Sequence, residues 1–147
     1  MRHIDFKFHG REISLSLTAN ALFTIYDEYG YTSQIVKTLK LTEPSEEGWK
    51  NTCWLFCLLA REGERQRRLM GDDPRPMLGA EELRLSAAPG DVAPIREAVI
   101  RALQQGFRRA VDDEAEEIDL VLAELDEIEK KKKARAAIAR LSSLFVR

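Results

Sequence analysis

Between Ile4 and Tyr29 the hydrophobic residues change their period. Ile4, Phe6 and Phe8 alternate with polar neighbours, and beyond His9-Gly10-Arg11-Glu12 so do Ile13, Leu15 and Leu17. The next apolar positions are Leu22, Phe23, Ile25, Tyr26 and Tyr29, which fall on one side of a helix. Period two predicts a pair of strands turning at Gly10. The wider period predicts a helix with Thr18 as its N-cap and Gly30 just past its end. Two strands alone are marginal in water and need cover, which the helix ending at Tyr29-Gly30 is expected to supply.

Further along the chain a short helix is expected over Ser33 to Leu39, and Pro44-Ser45 are placed to start a long one from about Glu46 to Met70. Trp49, Trp54, Leu55, Phe56, Leu58 and Leu59 make that helix apolar nearly all round, as a central helix must be. Its second half changes to "REGERQRRL", so it is expected to leave the core and end in solvent. Pro74, Pro76, Pro89 and Pro94 punctuate the segment after it, with a short helix around Ala80 to Leu85. The next helix runs from near Asp91 to about Gln105, with Pro94 in its first turn and a stripe of Ile95, Val99, Ile100 and Leu103. Gly106 either stops or bends it.

From Asp112 onward there is no proline or glycine. Ile118, Val121, Leu122, Leu125 and Ile128 form one helical stripe; Ile138, Leu141, Leu144 and Phe145 form a second beyond "EKKKK". At roughly 100° per residue the two stripes lie about 160° apart on a straight helix. One continuous helix would not bury both against one surface, so either the chain breaks near the lysines or the halves contact different things. The expected architecture is mainly α. A small N-terminal β-hairpin packs on a compact helical bundle over residues 1–107, and residues 108–147 form a charged, amphipathic C-terminal helical extension.

Composition narrows the function. Of 147 residues 44% are hydrophobic and 33% charged, with 25 acidic against 23 basic side chains and a formal charge of -2. Such a balance argues against a dedicated nucleic-acid binder. The polar start from Arg2 shows no apolar leader, and no apolar run approaches the ~20 residues that span a bilayer, so no membrane association is expected. Cys53 and Cys57 share one helix face without disulfide geometry and read as small buried hydrophobes. A metal site would need two more ligands, and with His3 and His9 the only histidines a structural reading of all four residues is favoured over a metal set.

No nucleotide loop, nucleophile elbow or metalloprotease motif occurs, so neither catalysis nor a cofactor is expected. Asp112, Asp113 and Glu114 suit a helix start better than a divalent-cation site, and "GDDP" at Gly71 suits a loop better than a metal site. Arg61, Arg65, Arg67 and Arg68 suit a solvated helix end better than a phosphate site, because no aromatic residues interleave with them. Trp49 and Trp54, among aliphatic neighbours, suit the core. The C-terminal stripes are divided between packing on their own domain and binding a partner helix. Ile118, Leu122, Leu125 and Ile128 are the candidates for one partner surface, and Ile138, Leu141 and Phe145 for another. Ile4, Phe6, Phe8, Ile13 and Leu15 mark the hairpin as a candidate self-association edge.

The order of these features resembles the tail assembly chaperones of long-tailed, siphovirus-like phages and prophages. The likeness runs through "FKFHGREISLSLTANALFTIYDEYG" (Phe6 to Gly30), "WLFCLLAREGE" (Trp54 to Glu64) and "LGAEELRLSAAPGDVAPIREAVIRALQQGF" (Leu78 to Phe107). It covers roughly the first three-quarters of the chain as a pattern without a single diagnostic motif. The resemblance implies a non-enzymatic helical protein of the host cytoplasm that keeps the tape measure protein soluble during tail tube assembly. It also implies self-association, absence from the mature virion and, in many members, a frameshifted longer form. The lysine-rich tail departs from the acidic tails of some relatives. The alternative reading is a nucleic-acid-associated phage or bacterial regulatory protein acting through Arg61 to Arg68 and Lys130 to Lys133.

Overall fold

The computed structural model describes residues 3–108 and 123–136 of the chain. β1 (Ile4–Phe8) and β2 (Arg11–Leu15) pair antiparallel with Phe8 opposite Arg11, Phe6 opposite Ile13 and Ile4 opposite Leu15. The two connecting residues, His9 and Gly10, both have positive φ (46° and 81°), as a two-residue turn that matches the strand twist requires. His9 holds this conformation with its ring stacked on Phe8, centroids 3.9 Å apart, and Nε2 3.1 Å from Asp91 Oδ2.

Helices make up the rest. α1 (Ala19–Tyr29) starts where the Thr18 hydroxyl accepts the Ala21 N–H at 3.0 Å, and ends at Gly30. α2 is one turn (Ile35–Thr38), closed by Leu41 N–H returning to the Val36 carbonyl at 3.0 Å. α3 (Glu46–Leu69) is capped by Ser45, whose hydroxyl accepts the Gly48 N–H at 3.1 Å. α4 (Ala80–Ser86) and a 3₁₀ turn (Pro89–Asp91) lead into α5 (Val92–Arg108), and α6 covers residues 123–136. The protein is mainly α with one N-terminal hairpin, as the periodicity predicts.

α3 is the axis of the core. Leu55, Phe56 and Leu59 are fully buried on it, against Leu15 of the hairpin, Ile25, Ile35, Leu83, Ile95 and Leu103. On α5 the buried residues are Ile95, Ala98, Val99, Ala102, Leu103 and Phe107, one apolar face at helical spacing. α5 continues through Gly106 to Arg108, so the glycine does not stop it. A Cβ there would lie 2.6 Å from that of Leu17, so the glycine lets the end of the hairpin pack on the helix.

Two expectations are corrected. The main cover of the hairpin comes from α3 and α5 rather than α1. The reason is Gly63: a Cβ at that position would sit 1.9 Å from the Ser14 carbonyl oxygen. Its absence lets β2 lie directly along α3, close enough for Ser16 N–H to reach the Leu59 carbonyl at 3.1 Å. The second half of α3 therefore stays in the core as far as Glu64 and only then ends in solvent, with Leu69 and Met70 exposed. Glu62, Gly63 and Glu64 are all buried there.

Candidate interaction surfaces

α6 carries the two described residues of the predicted C-terminal stripe. Leu125 is fully buried and Ile128 packs against the core. For this segment, packing on its own domain is the arrangement observed. Glu124, one residue before Leu125, reaches α2: its Oε1 accepts the Val36 N–H at 3.0 Å. The residue at the N-cap of α2, Gln34, makes no side-chain capping bond, so a carboxylate from a distant helix fills that role. Burial raises the Glu124 carboxyl above its ordinary range, opposed by the Val36 and Lys37 N–H bonds and the Lys37 charge. Glu124 Oε2 is buried with no hydrogen-bond partner among the described residues. Around this contact, Arg108 Nη2 lies 3.6 Å from Asp126 Oδ1 and Lys132 pairs with Glu97. Residues 129–136 are exposed.

Ile118, Leu122, Ile138, Leu141 and Phe145 lie outside the described residues, as do Asp112 to Glu117. The hairpin residues expected to mark an edge turn their side chains inward. Phe8 and Leu15 are buried, while Ile4, Phe6 and Ile13 are half-buried against the core. Phe6 meets Phe56 edge-on with centroids 5.5 Å apart. Any pairing at this edge would run through the backbone of β1.

Three arginines of the basic block, Arg65, Arg67 and Arg68, are paired locally. Glu64 Oε1 accepts from Arg67, and its Oε2 accepts the Arg75 N–H at 3.0 Å and lies 3.6 Å from Arg68 Nε. Glu62 Oε1 accepts from Asn20 at 2.7 Å and lies 3.9 Å from Arg65. Arg67 and Arg68 also donate to the carbonyls of Asp73 and Arg75, at 3.1 and 2.9 Å. The block thus folds the loop after α3 back onto the helix. Its signal in the sequence was the spacing of Glu64 from Arg67 and Arg68, three and four residues.

One surface was not singled out by sequence reasoning. Phe23 and Tyr31 are 63% and 62% exposed, and Tyr26 stands between them with centroids 6.3 and 5.3 Å away. These rings make an aromatic patch on α1 and the turn after it. Periodicity assigned Phe23 to the buried stripe, but only Ala21 and Ile25 of α1 are fully covered.

The remaining chemistry is spare. A cleft of ≈ 310 Å³ beside the hairpin is lined by side chains including His3, Asp5, Glu12, Arg67 and Arg75. Within it Arg75 pairs with Glu12 at 3.3 Å, and His3 Nε2 lies 3.3 Å from Asp5 Oδ1. Burial pushes the thiols of Cys53 and Cys57 up to about 12, which keeps both protonated at neutral pH. Among the described residues no group of three or more His, Cys, Asp or Glu side chains is placed to hold a metal ion, and no helix is long and apolar enough to cross a membrane.

Comparison with known proteins matches the chain to no family model, no curated protein and no solved structure.

Proposed function

We propose that this protein is a non-enzymatic tail assembly chaperone of a phage or prophage that binds the tape measure protein in the host cytoplasm and is left out of the virion. The observation that carries the reading is the way α6 is held. Two apolar side chains, Leu125 and Ile128, seat it on the core, and its other links are surface ion pairs and one carboxylate buried without full satisfaction. Surface ion pairs contribute little, and a half-satisfied buried carboxylate weakens the contact it belongs to. A client helix with an apolar stripe competes for this seat by replacing α6, the helix-in-groove mode of recognition.

The tape measure is long and helical, and its exposed apolar stripes would aggregate if left bare. Many weakly bound copies cover such a client reversibly, with avidity supplying occupancy; self-association, with or without a frameshifted longer form, strengthens that effect. The resemblance in element order supports the same reading. The regulatory alternative is weaker, because Arg65, Arg67 and Arg68 already face Glu62 and Glu64. The test is coexpression with the tape measure encoded by the neighbouring gene. A soluble complex that copurifies is expected; an insoluble client and no complex would end the proposal.

A further inference from the structure

The hairpin has two outer edges, and among the described residues only one is occupied. In a two-residue hairpin the residues flanking the turn exchange hydrogen bonds, so Phe8–Arg11, Phe6–Ile13 and Ile4–Leu15 are the bonded pairs. The main-chain groups of Glu12, Ser14 and Ser16 then point outward from β2, and those of Asp5 and Lys7 outward from β1. On the β2 side α3 fills the edge: Ser16 N–H bonds the Leu59 carbonyl, and the Ser14 carbonyl rests on Gly63. On the β1 side no hydrogen bond among the described residues takes up the outward N–H and C=O of Asp5 or Lys7.

We propose that the free edge of β1 pairs with β1 of a second copy of this chain, about a two-fold axis through Phe6, placing Asp5 of each copy opposite Lys7 of the other. A two-fold contact between identical strands is antiparallel, so the choice left is register. The outward-bonding residues allow three compact alignments. Centred on Asp5, the pairing sets two aspartates against each other; centred on Lys7, two lysines. Centred on Phe6 alone, it sets Asp5 against Lys7 twice, and directly opposed charges contribute to pairing or oppose it according to sign.

The side chains suit that alignment. Asp5 is 75% exposed on the face away from the core, and both of its contacts, to His3 and Ser14, use Oδ1, leaving Oδ2 for the partner. Lys7 is exposed and makes no ion pair among the described residues. On the inner face, half-buried Phe6 meets its own copy and half-buried Ile4 meets Phe8. The result is a four-stranded sheet in the order β2-β1-β1-β2, which no longer presents an open edge. Lysine and aspartate on an open edge deter random strand addition, and here the same two residues select one partner. This goes beyond the client reading and needs no client.

Sedimentation velocity on the full chain tests it. The wild-type chain is expected to dimerise, more weakly as salt rises. The Asp5→Lys chain and the Lys7→Asp chain each turn two attractions into two repulsions, and the dissociation constant of each alone is expected to rise about tenfold or more. Mixed together they restore complementary pairs, so a heterodimer is expected to form at near wild-type strength. Both substitutions are on exposed positions, and unchanged helical circular dichroism verifies the fold. A monomeric wild-type chain overturns the proposal, and so does a dimer indifferent to both substitutions or a mixture that fails to pair. Tape-measure binding by a chain that stays monomeric would overturn the dimer and leave the chaperone reading standing.

Discussion

Gly63 shows how much one missing side chain decides. It lies on α3 between buried Glu62 and Glu64, and its Cα hydrogen faces the Ser14 carbonyl where a Cβ would be 1.9 Å away. Neither backbone can yield without parting the strand from the helix. Gly63→Ala is therefore expected to destabilise the fold by about 3 kcal/mol, the upper range for overpacking. Urea denaturation measures this; a loss below about 1 kcal/mol would mean the contact is soft. Helix propensity alone points the other way, since alanine favours a helix by about 1 kcal/mol over glycine. Glu64 makes a second case. It is buried and relies on Arg67, Arg68 and the Arg75 N–H. Arg67→Ala leaves that carboxylate under-paired and is expected to lower stability by about 2 kcal/mol, with Arg67→Lys recovering part of it. The three-residue spacing of Glu64 and Arg67 carries the pair in the sequence, where the arginines read as a solvated helix end; the loop 72–75 folding back gives the pair its weight.

At the scale of elements, periodicity located most helices within a residue or two, because capping groups and proline mark helix ends locally. Thr18, Ser45 and Pro94 all stand where expected. Docking of α6 was not legible, since an apolar stripe looks the same whether its partner is its own core or another chain. Leu125→Ala is expected to release α6 while leaving α3 and α5 folded, at a cost of about 3 kcal/mol to the docked state. Hydrogen exchange that rises over 123–136 and stays slow in α3 and α5 would show it. If α6 occupies the client seat, the same substitution strengthens client binding.

Glu124 adds a pH dependence to this element. Its folded-state carboxyl titrates above the unfolded value because burial disfavours the charge. The folded form then holds its proton longer, so this contribution is full below the unfolded range and is lost as pH rises through the folded one. Docking of α6 is expected to tighten as pH falls from neutral toward the acid range. Glu124→Gln retains an oxygen acceptor for Val36 N–H and cannot ionise, so it should flatten this dependence and hold α6 at least as well at neutral pH. Comparing exchange protection of 123–136 in both chains at two pH values isolates Glu124 from Asp126 and Glu97, which remain in each. An unchanged pH slope would show that the burial cost is relieved some other way.

At the scale of the whole molecule, the hairpin, α3 and α5 share one core, and α6 lies upon it. A chain ending after Arg108 is therefore expected to fold cooperatively, with a melting temperature lower by about 10 °C from loss of the Leu125 contact. Thermal denaturation followed by circular dichroism checks this; a chain that no longer melts cooperatively would make α6 part of the core.

The sequence by itself determined the mainly helical class, the hairpin and its turn, and most element boundaries. Those depend on period, on caps and on the conformations open to proline and glycine, all of which act within a few residues. Tertiary structure alone decided that α3 and α5 cover the ribbon, and that Glu62 and Glu64 are inside while Phe23 is outside. It also decided that Leu125 packs at home. Each of these depends on which surfaces meet across long stretches of chain, and an amphipathic pattern states that a face must be covered without stating by what. The ribbon's remaining edge comes from both: alternation placed Asp5 and Lys7 on one strand, and the approach permitted by Gly63 put α3 on the other, leaving the β1 edge open among the described residues.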